Sequence, residues 1–151
     1  MKTSRKNERN RMQLCLPALS VNEGVARAAV AAFCAQGAPS ITQLADIKCA
    51  VSEAVTNCIV HAYRAGRGLI YISLSLTADN VLRVAIRDKG CGIADVRRAR
   101  EPLFTTDAAG ERSGMGFTVM ESFMDKLAVY SRKGEGTVVV MTKCLGSERR
   151  E

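Results

Sequence analysis

Glu53 and Asn57 stand four residues apart in a run whose apolar residues recur at helical spacing, so both side chains project from one stripe of a helix and can reach the same ligand. A carboxylate in that position can orient or deprotonate an attacking group, and an amide oxygen suits a hard cation such as Mg²⁺. His61 continues the stripe. A solvated helix face would show the same residues, so the pair gains meaning only from its surroundings. Asp88 sits at the mouth of a strand-like segment and is followed by Gly90 and Gly92. Its carboxylate can accept from a donor such as an exocyclic amine, and the glycines allow close approach of a ligand. Alone, Asp-x-Gly is an ordinary turn. Arg112-Ser113-Gly114-Met115-Gly116 sets a cation and flexible backbone amides just before a helix start, where N–H groups and the macrodipole favour phosphate. Taken singly, this stretch is also a plain glycine-rich loop.

Absent motifs narrow the chemistry. There is no Gly-x-x-x-x-Gly-Lys-Ser/Thr, and Gly90-Cys91-Gly92 runs on into Ile93-Ala94-Asp95 without the third glycine of a dinucleotide fingerprint. One histidine leaves little room for a Ser-His-Asp triad. The six cysteines, at 15, 34, 49, 58, 91 and 144, form no Cys-x-x-Cys pair. A thiolate metal site is therefore excluded, and with four cysteines inside apolar patterns buried, reduced thiols are expected.

The elements that must position these residues follow from periodicity and capping. Met12 to Leu16 alternates as a short edge strand stopped by Pro17. Ser20 and Glu23 fit a capping box for a first helix running to Gln36, before Gly37. Ser40 and Gln43 repeat that signal, and Leu44, Ile47, Val51, Ala54, Val55 and Cys58 extend a second helix to about Ala65 and Gly66. Leu69 to Thr77 and Val81 to Arg87 alternate on either side of Ala78-Asp79-Asn80, as a hairpin does. A short helix through Arg97, Arg98 and Arg100 precedes an aperiodic stretch from Pro102 to Gly116, expected to be a mobile loop. A helix over Phe117 to Asp125 and two strands, Leu127 to Arg132 and Thr137 to Cys144, complete the chain. Short links between paired strands imply a mainly antiparallel sheet, with helices on one face, in an α+β two-layer sandwich.

With 151 residues, 47% apolar and 25% charged, the chain has the composition of one soluble folded domain. Residues 1–11 read as a basic tail, 12–144 as the domain and 145–151 as a C-terminal tail. No segment supplies the roughly 20 apolar residues of a membrane span, and no apolar region follows the basic N-terminus as in a secretory signal. A cytoplasmic protein is expected. The net charge of +7 invites a nucleic-acid reading, but residues 1–11 carry five bases and one acid, a net of +4, which leaves +3 for the rest. With 5% aromatics and no Trp there is no stacking platform, and direct nucleic-acid binding is not expected.

Taken together and in this order, the candidate residues resemble the nucleotide-binding boxes of the ATPase superfamily shared by gyrase, the Hsp-type chaperones, sensor histidine kinases and MutL. Glu53-Ala54-Val55-Thr56-Asn57 is similar to the N box, Asp88-Lys89-Gly90-Cys91-Gly92-Ile93 to the first glycine box, and Gly114-Met115-Gly116-Phe117 to the second. Val51 to Asn57, Pro102-Leu103-Phe104-Thr105-Thr106 and Glu111 to Glu121 narrow the resemblance to the anti-sigma F factors of spore-forming bacteria, over about residues 12 to 144. That resemblance implies a Bergerat-type sandwich, with a mainly antiparallel mixed sheet covered on one face by helices, binding ATP with Mg²⁺. It implies a homodimer that holds sigma factor F inactive and a protein serine kinase that phosphorylates an anti-anti-sigma protein, in the forespore compartment. By position it implies Glu53 as general base, Asn57 as Mg²⁺ ligand and Asp88 as acceptor from the adenine amino group. Gly90, Gly92 and Thr137 would form the adenine pocket, Arg112 would meet the γ-phosphate, and Gly114, Met115 and Gly116 would supply backbone to a lid. Glu23 and Arg27 match a partner-contact surface, although a capping glutamate and a solvated arginine would read the same way. Lys89 and the net charge make the chain more basic than expected of that family. Two other readings stand beside this one: a related switch kinase of a stress sigma factor, and a non-catalytic ATP-dependent binding module. A sensor histidine kinase is disfavoured, because no dimerisation helix with a phosphoacceptor histidine precedes the ATPase-like region.

Overall fold

The computed structural model describes residues 7–64, 66–102 and 115–146. Five strands, β1 (Glu8–Pro17), β2 (Leu69–Thr77), β3 (Val81–Asp88), β4 (Lys126–Arg132) and β5 (Gly136–Cys144), form one sheet in the order β1-β2-β3-β5-β4. Every pairing is antiparallel, so the mixed character expected of the sheet is not found among the described residues. β1 is an edge strand, as its short alternation suggested, but it begins at Glu8 and so takes in residues 8–11.

The alternation of β2 and β3 fixes which face is dry. Ile70, Ile72, Leu74 and Leu76 are buried on β2, as are Leu82, Val84 and Ile86 on β3, with Val139 and Met141 continuing that face on β5. Among the described residues four α-helices accompany the sheet: α1 (Val21–Cys34), α2 (Ile41–Asn57), α3 (Val96–Ala99) and α4 (Gly116–Phe123). α2 packs against both α1 and α4, and Ala26, Val30, Ile47, Ala50, Val51, Val55 and Met120 join the sheet residues in a single core. Each buried Val, Leu, Ile or Met side chain contributes roughly 1.5–3 kcal/mol, so this shared face is what holds the two layers together. The other face of the sheet is wetter. There a shallow depression is lined by Tyr71, Ser73, Ala85, Arg87, Lys89 and Val138, with the Lys89 ammonium 5.0 Å from the Tyr71 ring centre.

The two capping signals diverge. Ser40 is extended, accepts from the Gln43 N–H through its hydroxyl, and receives the Gln43 side chain at its own N–H, a complete capping box. Ser20 already has helical dihedrals and makes no side-chain cap, so the box expected there does not form. The entry to α1 is held instead by Asn22, whose amide donates to the Pro17 carbonyl, while Glu23 pairs with Arg27 at 2.8 Å. α2 also ends earlier than its apolar spacing suggested. Regular helix stops at Asn57, and Cys58–Ala62 form a π turn that widens the coil.

Candidate functional site

The inner face of the sheet carries one acid among its apolar residues. Asp88 ends β3 in register with Thr137 of β5, and both are buried. Its Oδ1 accepts from the Gly90 N–H at 2.9 Å, and its Oδ2 lies 3.7 Å from the Cys58 thiol, which donates to it from the start of the π turn. Burial raises the Asp88 carboxyl above the usual carboxylate range, and these donors pull the other way. The Cys58 thiol is raised by burial first and by the neighbouring Asp88 charge second, so it stays protonated. Thr137 shares a hydrogen bond with Ser131 at 2.7 Å, and the Ser131 hydroxyl also receives the Ile93 N–H and donates to the Gly136 carbonyl.

The loop after Asp88 is wedged between the π turn and the β4–β5 hairpin. Cys91 N–H donates to the Ala62 carbonyl, and Gly134 N–H donates to the Cys91 carbonyl. A Cβ at Gly90 would lie 2.4 Å from the Ala62 carbonyl oxygen. Gly92, at φ +71°, would place one 1.9 Å from the Arg132 carbonyl oxygen. The second glycine therefore answers both a left-handed backbone and a close approach, the combination only glycine tolerates. Tyr63, just past the π turn, fastens the same loop: its hydroxyl donates to the Leu69 carbonyl and accepts from the Lys89 N–H.

At the other end of the site, Glu53 and Asn57 project from the last turns of α2 toward the start of α4. A Cβ at Gly116 would sit 3.3 Å from Asn57 Nδ2, 3.4 Å from its Oδ1 and 3.4 Å from Glu53 Oε2. The N-terminus of α4 thus lies close against a carboxylate and an amide, with no side chain at Gly116 between them. Met115, the N-cap, makes no side-chain cap hydrogen bond to the first turn. Helix N-termini in general favour an anion. The donor set also fits Mg²⁺, because the Asn57 amide oxygen and the Glu53 carboxylate are hard ligands that both face a residue without a Cβ. Among the described residues no cluster of three His, Cys, Asp or Glu side chains could cage a metal. Mg²⁺ shared with ligand phosphates needs no such cage.

The structure thus brings Glu53, Asn57, Met115 and Gly116 together at one end, and Asp88, Gly90, Gly92 and Thr137 at the other. Arg112 and Gly114 lie outside the described residues, as do Thr105, Thr106 and Ser113. Glu23 and Arg27 stand apart on α1 as a half-exposed ion pair, with the Arg27 guanidinium also donating to Ser52 Oγ at 3.4 Å. Sequence reasoning missed three contributors. Cys58 read as a core position, Ser131 as an ordinary strand residue and Tyr63 as part of a longer helix. The thiols also need correction: all six are free, but only Cys34 and Cys58 are buried. Cys15 lies on the wetter face of its strand, opposite Tyr71, and Cys144 is exposed at the end of β5, where its apolar neighbours do not shield it.

Comparison with known proteins bears on the family and the fold. Residues 16–143 match the family described as histidine kinase-like ATPase domain. Among relatives, the anti-sigma F factor of Caldanaerobacter subterraneus subsp. tengcongensis is 53% identical over 140 residues, covering 93% of this chain and 97% of that one. The anti-sigma F factor of Bacillus licheniformis is 49% identical over 142 residues, with the same two coverages. Among solved structures, the RsbU and RsbW domains of a Mycobacterium tuberculosis protein align with a TM-score of 0.67 at 20% identity, over 93% of this chain and 34% of theirs. The histidine kinase domain of a blue-light activated kinase from Erythrobacter litoralis aligns with a TM-score of 0.55 at 25% identity, over 70% of this chain and 46% of that one. With these relatives and that family match, the chain belongs to the anti-sigma F factors, within the histidine kinase-like ATPase domains.

Proposed function

We propose that this chain inhibits sigma factor F by binding it and, as an ATP-dependent protein serine kinase, phosphorylates and inactivates an anti-anti-sigma protein. The observation that carries the reading is the meeting of Gly116 with Glu53 and Asn57 at one end of a site whose other end is the buried Asp88–Thr137 pair. A nucleotide matches that polarity, with a base for the Asp88 end and phosphates for the α4 end.

In this reading Asp88 accepts from the 6-amino group of adenine, while Gly90, Gly92 and Thr137 shape the pocket around the ring. Asn57 gives its amide oxygen to Mg²⁺, and the backbone of Gly114, Met115 and Gly116 lines the phosphates. Arg112 meets the γ-phosphate. Bound Mg²⁺ supplies charge neutralisation to the phosphates. Glu53 takes the proton from the substrate serine as its oxygen attacks the γ-phosphorus and the bond to the ADP oxygen breaks. Positioning and charge neutralisation are most of what phosphoryl transfer requires, so this small set suffices. Glu23 and Arg27 on α1 offer the surface for sigma factor F and the anti-anti-sigma protein, and the active form is a homodimer in the forespore cytoplasm. No helix among the described residues is long and apolar enough to cross a membrane.

The test is transfer of γ-labelled phosphate from Mg-ATP to a purified anti-anti-sigma protein, with Glu53→Gln in parallel. Wild type is expected to label a serine of the partner, and Glu53→Gln to bind ATP yet lose transfer by at least about a hundredfold, the usual scale of a general base. Unchanged transfer in Glu53→Gln would remove the base assignment. If neither protein transfers label although both bind ATP, the chain is a nucleotide-gated binding module instead.

A further inference from the structure

The residue after Asn57 turns away from the phosphate end and toward the base end. α2 stops at Asn57, the π turn begins at Cys58, and the Cys58 side chain is 3% exposed, with its Sγ 3.7 Å from Asp88 Oδ2. Asp88 is 5% exposed, and its other oxygen is engaged by the Gly90 N–H. The Thr137 N–H also donates to this carboxylate, but backbone donors alone leave the terminal torsion a broad well. A donor on the second oxygen removes that freedom. We propose that Cys58 is a positioning residue for nucleotide-base recognition: its thiol, donating to Asp88 Oδ2, fixes the plane in which Asp88 presents its remaining acceptor capacity to a purine 6-amino group. This deepens the nucleotide reading above and rests on it.

The arrangement has a chemical logic. An ionised carboxylate has lone pairs for about four donors, so the Gly90 and Thr137 N–H groups and one thiol leave room for one N–H of an amino group. An inosine nucleotide offers a carbonyl oxygen at the same position and meets the carboxylate acceptor to acceptor. Discrimination between the two bases depends on how well the acceptor is aimed, because a site built to bond one polar group rejects an analogue lacking it. A purely space-filling role for Cys58 predicts equal effects on both nucleotides.

The experiment measures dissociation constants of Mg-ATP and Mg-ITP for the full chain, its Cys58→Val, Cys58→Ala and Cys58→Ser variants, and Asp88→Asn. Cys58→Val fills the site without a donor and Cys58→Ala empties it, so a folded reference exists where either variant alone is unstable. The ATP preference over ITP is expected to narrow by about fivefold in Cys58→Val and Cys58→Ala, the scale of one weak hydrogen bond, and to return in Cys58→Ser. A Cys58→Val protein that keeps the wild-type ratio while Asp88→Asn loses it would overturn the role of Cys58 alone. If Asp88→Asn also keeps the ratio, the assignment of Asp88 to the base falls, and the role of Cys58 falls with it.

Discussion

Asp88 brings a charge to a place that resists it. Burial raises its carboxyl, so the folded state holds the proton at pH values where the unfolded chain, near the ordinary value of about 4, has released it. Between those two values the folded state binds more protons, and stability falls as pH rises through the window. Asp88→Asn keeps an oxygen for the Gly90 N–H but carries no charge. Its melting temperature is expected to exceed that of wild type at pH 7 by about 2–4 °C, the shift that roughly 1 kcal/mol produces in a domain of this size. The difference should shrink as pH falls through the acid window, where wild-type Asp88 takes up its proton. Thermal melts of both proteins from pH 7 to pH 4 check this. A lower melting temperature for Asp88→Asn at pH 7 would mean that the hydrogen bonds from Gly90 and Cys58 outweigh the cost of burying the charge. Asp88 was legible from sequence as a strand end, because an acid followed by two glycines closes an alternating run, though that spacing alone is also an ordinary turn. Cys58 was not, since a thiol is counted as apolar and its donor role appears only when the fold sets it against a residue thirty positions away.

At the scale of elements, the site depends on where α2 stops and α4 starts. Gly116 occupies the first turn of α4, where alanine would favour the helix by up to about 1 kcal/mol. Its Cβ, however, would crowd the Asn57 amide at 3.3 Å and the Glu53 carboxylate at 3.4 Å. Gly116→Ala is therefore expected to melt at or above the wild-type temperature while its dissociation constant for Mg-ATP rises several-fold. Calorimetry on one sample reads both, and an unchanged affinity would show that the gap over Glu53 and Asn57 is not used. The elements themselves were readable in proportion to how local their causes are. β2 and β3 announce their faces through strict alternation, and the box at Ser40 and Gln43 closes within four residues. The similar signal at Ser20 fails because Glu23 is engaged by Arg27 one turn later and Asn22 ties the helix entry to Pro17. The π turn was hidden for a different reason. Apolar spacing continues through Cys58 and Ile59, and the turn widens around the loop after Asp88, whose Cys91 N–H claims the Ala62 carbonyl.

For the molecule as a whole, the site is assembled from parts far apart in sequence: the end of α2, the end of β3, the start of α4 and the start of β5. A ligand that touches all four bridges the helical layer and the sheet, so its binding free energy opposes separation of the two layers. Any ligand that binds only the folded state stabilises it by an amount set by concentration over dissociation constant, about 2.7 kcal/mol at a hundredfold excess. Mg-ATP at that excess is expected to raise the melting temperature by about 5–11 °C for a domain of this length. Chelation of Mg²⁺ should remove much of the gain, because the phosphate end then loses the cation that Asn57 would hold. Asn57→Ala should show the smaller gain whether or not Mg²⁺ is present, since the two treatments remove the same link. On the proposed reading, in which Asp88 meets the base and not the metal, Asp88→Asn should lose part of the gain in both conditions. Melting curves of the three proteins with ATP, with and without Mg²⁺, separate these contributions. If Asn57→Ala responds to chelation as strongly as wild type, Asn57 is not the metal ligand, and the phosphate end owes its cation to another group.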